Sequence, residues 1–535
     1  MGSMWLILTA IIAFVIAYSL YGKYVGRKLG INPLRETPAH TIHDGIDYIP
    51  ARAPVLLGHH FASIAGAAPI IGPIVAALFG WLPVMLWIFI GSIFMGAVHD
   101  FSALIASVRH GGRSIGEVIE EEIGYRGKIL FLIFSWSALT LVVAVFIIVV
   151  SRTFESVPSA ATASILFIAA ALIIGFLLYK LNLPLAAATI IGIIMLAASL
   201  YIGYLFPINL SALTWTYILL GYIFVASTSP VWVLLQPRDY LNSFILYALM
   251  ILSVIGIIYV NPEIKIPAFT SFKVEKLGYL FPILFVTVAC GAISGFHSLV
   301  ASGTSAKQLN NEKDAKLVGY GSMLIESLLA IVALITAAIL IQDKYHELKQ
   351  NPVEVFAYSL GNIMTPFGID FESGKMFASL AVSAFALTSL DTAARLSRFA
   401  FQEFFYKKNS KHEDQSIFFK NRYLATLIGV VSAGLLVISG QGLNIWPIFG
   451  SANQLLSALA LLSVTVWLTR HNKKKNMFIK IPMIVMFIIT LSALVLMIVE
   501  NINEKNFILT LIASILFLLA AILALEARNS IKDIK

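Results

Sequence analysis

The chain has 535 residues, 59% of them hydrophobic and 12% charged, with a mean hydropathy of +0.88. This composition excludes an ordinary soluble domain and marks an all-α polytopic membrane protein. The net charge of +9 sits in loops between apolar runs, where topology explains it better than nucleic-acid binding. The one cysteine, Cys290, excludes an intrachain disulfide.

Fifteen apolar runs are candidate spans: 4–25, 61–79, 81–108, 129–151, 161–180, 183–206, 213–235, 241–260, 279–302, 317–342, 374–404, 422–439, 443–469, 477–499 and 505–527. The opening MGSMWLIL has no positive n-region, so 4–25 is expected to be a retained span rather than a signal peptide. The loop 26–60 carries His40, His43, Asp44, His59 and His60. Their spacing matches no specific zinc pattern, and loop packing or a gate is expected there. No cofactor and no metal are expected.

The second run, with the three residues before it, begins GHHFASIAGAAPIIGP. Between Ser63 and Pro73 it holds two glycines and two prolines, which weaken a helix. Interrupted helices persist in a bilayer only where protein or a wet cavity covers them, and their freed backbone groups can bind a solute or cation. Ser63, Gly66 and Ala67 are therefore candidate substrate contacts; a small-residue packing face is the alternative. The seventh run holds ASTSP, which makes Ser227, Thr228 and Ser229, before Pro230, a second candidate break. Hydroxyls back-bonded within an intact helix are the alternative there.

Five spans separate the two breaks, as an inverted repeat of five requires. The expected layout is 1–60 (first span and loop), 61–206 and 213–404 (the two repeats), and 405–535 (accessory spans). That is a LeuT-type core with one extra N-terminal and about four extra C-terminal helices. In such folds hydroxyls of the third helix of the second repeat help hold a cation. Ser302, Thr304 and Ser305 fit that chemistry, or form a helix-end cap.

Ionisable residues inside spans are costly and usually functional. Asp100 beside His99, His297, Glu326 and Asp391 stand out. Asp391 precedes Arg395 by four residues, so an ion pair along one helix is plausible. Glu326 has no obvious local partner and is the better proton-carrier candidate; His297 could relay a proton or contact substrate. Counting loops and span ends, 29 of the 37 Lys and Arg fall on one side. Only Arg152, Lys265, Lys273, Lys276, Lys344, Lys349, Lys375 and Lys505 fall on the other. That bias places the N-terminus outside and the C-terminus in the cytoplasm.

The blocks GHHFASIAGAAPIIGP, GAVHDF, LLQPRDYLNS, SGFHSLVASGTSAKQ, SLDTAARLSRF and IFGSANQLLSALAL resemble the carbon starvation protein A family of bacterial membrane transporters. Where that family commonly has LLCPRDYL, this chain has Gln236. The resemblance implies a secondary active importer of peptides or pyruvate in the bacterial inner membrane, driven by protons. A passive channel or a sodium-coupled symporter for a small carboxylate is the alternative. An intramembrane enzyme would need a set such as HExxH, which does not occur.

Overall fold

The computed structural model describes residues 2–532 except 45–46, 182, 230–234, 276, 342–344, 346–350, 407–415 and 472–475. Apart from a two-stranded hairpin, Lys273–Val274 with Gly278–Tyr279, the described chain is helical. Its apolar helices are α1 (Met4–Leu29), α2 (Ala53–Ile64) and α3 (Ala68–Phe79), which form one bent pair, and α4 (Trp81–Arg109). The short α5 (Ile115–Glu122) precedes α6 (Tyr125–Ser156), α7 (Pro158–Leu177) and α8 (Ala186–Leu205). Then come α9 (Ala212–Thr228), α10 (Pro237–Val260), α11 (Leu280–Gln308) and α12 (Glu312–Ala338). The short α13 (Pro352–Met364) precedes α14 (Phe371–Phe404), α15 (Arg422–Ile438), α16 (Trp446–His471), α17 (Met477–Asn503) and α18 (Phe507–Arg528).

Among the described residues twelve helices are long and apolar enough to cross a membrane, and the bent pair makes thirteen. α9 and α15 are shorter apolar helices. In α6, α11, α12, α14 and α16 between 83% and 94% of the most apolar window is buried. In α1, α8 and α18 only 22–28% is. The former build the core; the latter show their apolar faces to lipid.

The most extensive pairing joins α6 to α14. α9 and α15 each lie against both members of that pair and against one another. α10 packs on α2 and α14, while α16 packs on α11 and α6. The hairpin α7–α8 sits outside, on α14 and α10.

Two helices are interrupted where they meet. α2 and α3 bend by 50° across Ala65, Gly66 and Ala67, and Pro69 opens the second half as a helix-compatible first-turn residue. The segment expected at 61–79 thus begins at residue 53. α11 loses regular geometry from Ala289, which has φ +47°, to Gly295. α3 packs directly on this irregular stretch. The helix facing the first break is therefore α11, not the ASTSP segment. α9 ends at Thr228 and Ser229 is extended; Pro230 lies outside the described residues.

The close approach needs glycine. A Cβ on Gly72 would lie 2.5 Å from the Val288 carbonyl oxygen and 2.6 Å from that of Thr287. Both are backbone atoms and cannot swing aside. Gly72→Val is expected to lower the yield of folded protein sharply. Gly221→Ala, with nothing within 4 Å of its added Cβ, is expected to be neutral or to stabilise by up to about 1 kcal/mol. Size-exclusion profiles and melting temperatures in detergent check both.

Candidate functional site

Unwinding α11 frees polar backbone that lipid cannot satisfy. Side chains from α4 and α16 take it up. Trp87 Nε1 and Gln454 Nε2 donate to the Phe285 carbonyl at 3.1 and 2.9 Å, and Trp446 Nε1 donates to that of Thr287 at 3.2 Å. Asn453 bridges the gap itself. Its Oδ1 accepts from the Phe296 amide at 2.9 Å, and its backbone carbonyl accepts from the Gly295 amide at 2.9 Å. Its Nδ2 donates to Ser294 Oγ at 3.0 Å and Cys290 Sγ at 3.2 Å. Asn453 and Gln454 lie in the block IFGSANQLLSALAL and Trp446 two residues before it, yet sequence reasoning gave them no role. An Asn-Gln pair inside an apolar run was the available signal.

A cavity of about 10 Å³ lies between the two interruptions, lined by Gly66, Ala68, Phe146, Cys290, Ser389 and Asn453 among others. That is room for about one water molecule. Ser389 Oγ is buried without a hydrogen-bond partner and would lie 2.5 Å from a Cβ on Gly66. Ser389 is a second residue the sequence did not single out. Larger grooves, of 590 and 490 Å³, are lined mainly by apolar and aromatic side chains, such as Phe281, Leu491, Tyr24 and Phe478. Tyrosine is the only ionisable residue type among their described lining residues.

Beside the cavity runs a buried chain of ionisable groups. His99 Nδ1 meets Asp100 Oδ1 at 2.7 Å, and His297 Nδ1 meets Asp100 Oδ2 at 2.8 Å. On its other edge His297 Nε2 lies 3.2 Å from Glu326 Oε2. All four side chains are fully buried. They come from three helices: α4, α11 and α12. Glu326 thus has a partner, His297, that its local sequence does not supply. His60, on α2, meets Ser305 of α11, with Nδ1 and Oγ at 2.7 Å.

The remaining candidates fall elsewhere. Ser63 Oγ donates to the His59 carbonyl at 2.9 Å, while Gly66 and Ala67 form the break itself. Thr228 and Ser229 donate back to the carbonyls of Phe224 and Val225 at 2.9 and 2.7 Å, and Ser227 faces Thr426 at 3.5 Å. None of the three lines the cavity at Gly66. Ser302 and Thr304 likewise donate to the carbonyls of Ser298 and Val300, at 2.7 and 2.9 Å. Back-bonding within the helix is thus the observed arrangement.

Asp391 pairs with Arg238 rather than Arg395. Tyr222 donates to the same carboxylate at 2.8 Å. Arg395 instead donates to the carbonyls of Ala226 and Ser229, each at 2.9 Å, where a cation suits the C-terminus of α9. His40 bonds to Asn310 and Asp44 to the Asp47 and Tyr48 amides, so the loop histidines do not converge on a metal site among the described residues.

The family model for carbon starvation protein CstA matches residues 2–352 and 346–493. The peptide transporter CstA of Bacillus subtilis (strain 168) is 34% identical over 525 residues, covering 89% of this chain and 87% of that protein. The peptide transporter CstA of Escherichia coli (strain K12) is 32% identical over 92% of this chain and 80% of its own length. The pyruvate/proton symporter BtsT of the same strain is 31% identical over 92% and 81%. Among solved structures, a manganese transporter of Eremococcus coleocola in complex with an aromatic bis-isothiourea substituted compound superposes with a TM-score of 0.54. It is 10% identical and the match covers 94% of this chain and 99% of that one, which is a likeness of fold alone. The chain is a multi-pass membrane protein and belongs to the carbon starvation protein CstA family.

Proposed function

We propose that the chain is a proton-coupled secondary active importer that works by alternating access in the bacterial inner membrane. Its solute binds where the α2–α3 and α11 interruptions meet, and Glu326 carries the proton with His297 and Asp100. The observation that carries this reading is the buried row Asp100–His297–Glu326, hydrogen-bonded at its first step and in 3.2 Å approach at its second, beside that meeting point. Intramembrane carboxylates are retained where they move charge. The N-terminus lies outside and the C-terminus inside, by the Lys and Arg bias.

In the same reading the inverted repeats are α2–α6 with α9–α10, and α11–α16. Each opens with an interrupted helix. Each has a short helix after its second span, α5 in one and α13 in the other. The central spans α6 and α14 pair, and α10 on α2 mirrors α16 on α11. The hairpin α7–α8 is then an insertion, and the repeats run over 53–260 and 280–471 rather than 61–206 and 213–404.

Between the two solutes named for relatives, a small carboxylate such as pyruvate suits this site better than a peptide. At about 10 Å³ the cavity has to expand for either solute, and by less for the smaller one. The positive end of the α3 dipole faces the break at Gly66 and favours an anion there. Among the described lining residues there is no carboxylate to pair with a peptide's ammonium. Proteoliposomes test this. An inward proton gradient is expected to concentrate labelled pyruvate severalfold over the medium. Uptake that only equilibrates identifies a passive facilitator. A sodium requirement without a proton requirement identifies a sodium symporter, and either result overturns the proposal.

A further inference from the structure

Cys290, His297 and Glu326 are buried, and a ligand atom from each lies within 4.8 Å of the other two. Tetrahedral zinc with bonds of 2.0–2.3 Å sets its ligand atoms about 3.5 Å apart, so closing on an ion needs side-chain shifts of about 1 Å. The atoms that would bind are open. His297 Nε2 and both Glu326 oxygens have no hydrogen-bond partner, although Nε2 and Oε2 approach to 3.2 Å without hydrogen-bond geometry.

The surroundings supply what such a site needs in its outer layer. His297 turns its other nitrogen, Nδ1, onto the Asp100 carboxylate at 2.8 Å, which fixes the ring and strengthens Nε2 as a donor. Asp100 is itself held by His99 Nδ1 at 2.7 Å. Asn453 Nδ2 donates to Cys290 Sγ at 3.2 Å, which orients the sulfur. A divalent ion with one thiolate and one carboxylate makes a neutral ligand set, which lowers the cost of burying the ion in lipid.

We propose that Cys290, His297 and Glu326 form a binding site for a borderline-soft divalent transition metal, best matched by zinc, with the fourth position left to water. Thiolate plus imidazole selects zinc, cobalt or nickel over magnesium, calcium or manganese. The ion uses the same lone pairs as the proton of the transport reading, so a bound metal arrests proton-coupled uptake. That consequence rests on the transport reading; the binding does not.

The test uses purified full-length protein in detergent and needs no transport. Cobalt(II) is titrated first, then displaced by zinc(II) in competition with a chromophoric chelator. One ion per chain is expected, with a thiolate-to-cobalt charge-transfer absorption. Cys290 is the only cysteine, so that band has no other source in the chain. Cys290→Ser is expected to remove the band and weaken zinc binding at least 100-fold. Asp100→Asn should keep the band and weaken binding about 10- to 100-fold, as a positioning residue does. Wild-type protein without the band overturns the proposal, and so does zinc affinity unchanged in Cys290→Ser. If Cys290→Ser fails to fold, the wild-type cobalt spectrum decides alone.

Discussion

Arg238→Met is expected to cost the folded state about 3–5 kcal/mol, as removal of one partner from a buried ion pair does. Arg238 is only 1% exposed. One nitrogen is salt-bridged to Asp391 and donates to Tyr222 Oη at 2.8 Å; the other faces Asp239 at 3.3 Å. Without the guanidinium, two buried carboxylates share a low-dielectric space with no cation between them. Lipid offers no water to hydrate them. Melting temperature in detergent should fall steeply. Joining Asp391→Leu to Arg238→Met should recover part of the loss, because that pair is then replaced by apolar volume rather than broken and Asp239 alone is left without the guanidinium. A single variant that melts like the wild type would show that the cluster does not hold α9, α10 and α14 together.

That cluster also shows where sequence reading stops. Asp391 was conspicuous as a charge inside a span, and the i, i+4 rule offered Arg395. The actual partner lies on another helix 153 residues away, and only the tertiary packing of α10 on α14 brings it there. Apolar runs were legible because a bilayer imposes their length and composition directly. The break at Gly66 was legible because glycine and proline are its local cause. The break in α11 was harder: it has glycines at 291 and 295 but no proline in its irregular stretch. What stabilises it, Asn453 and Gln454, sits over 150 residues downstream. The ASTSP motif was read as the facing break because hydroxyls before a proline mark a helix end as readily as an unwound centre.

Asp100, His297 and Glu326 were each visible singly, as residues that a membrane should not tolerate without use. Their alignment gives the second large effect. Glu326→Gln is expected to abolish uptake driven by a proton gradient, a loss of at least 100-fold in concentrative rate, while leaving solute exchange across proteoliposomes near its original rate. Glutamine keeps the shape and can still lie beside His297 Nε2, at the 3.2 Å now spanned by the carboxylate. It cannot take up or release a proton, so the return of the carrier without solute loses its coupled step, whereas solute-for-solute exchange does not need that step. Asp100→Asn should act differently. It loosens His297, which Asp100 holds at 2.8 Å, without removing the carrier group, and should slow driven uptake rather than abolish it. If Glu326→Gln still concentrates solute at the wild-type rate, the proton travels elsewhere. If exchange falls together with driven uptake, Glu326 serves the solute site or the fold, and the coupling assigned to this line of groups is lost with it.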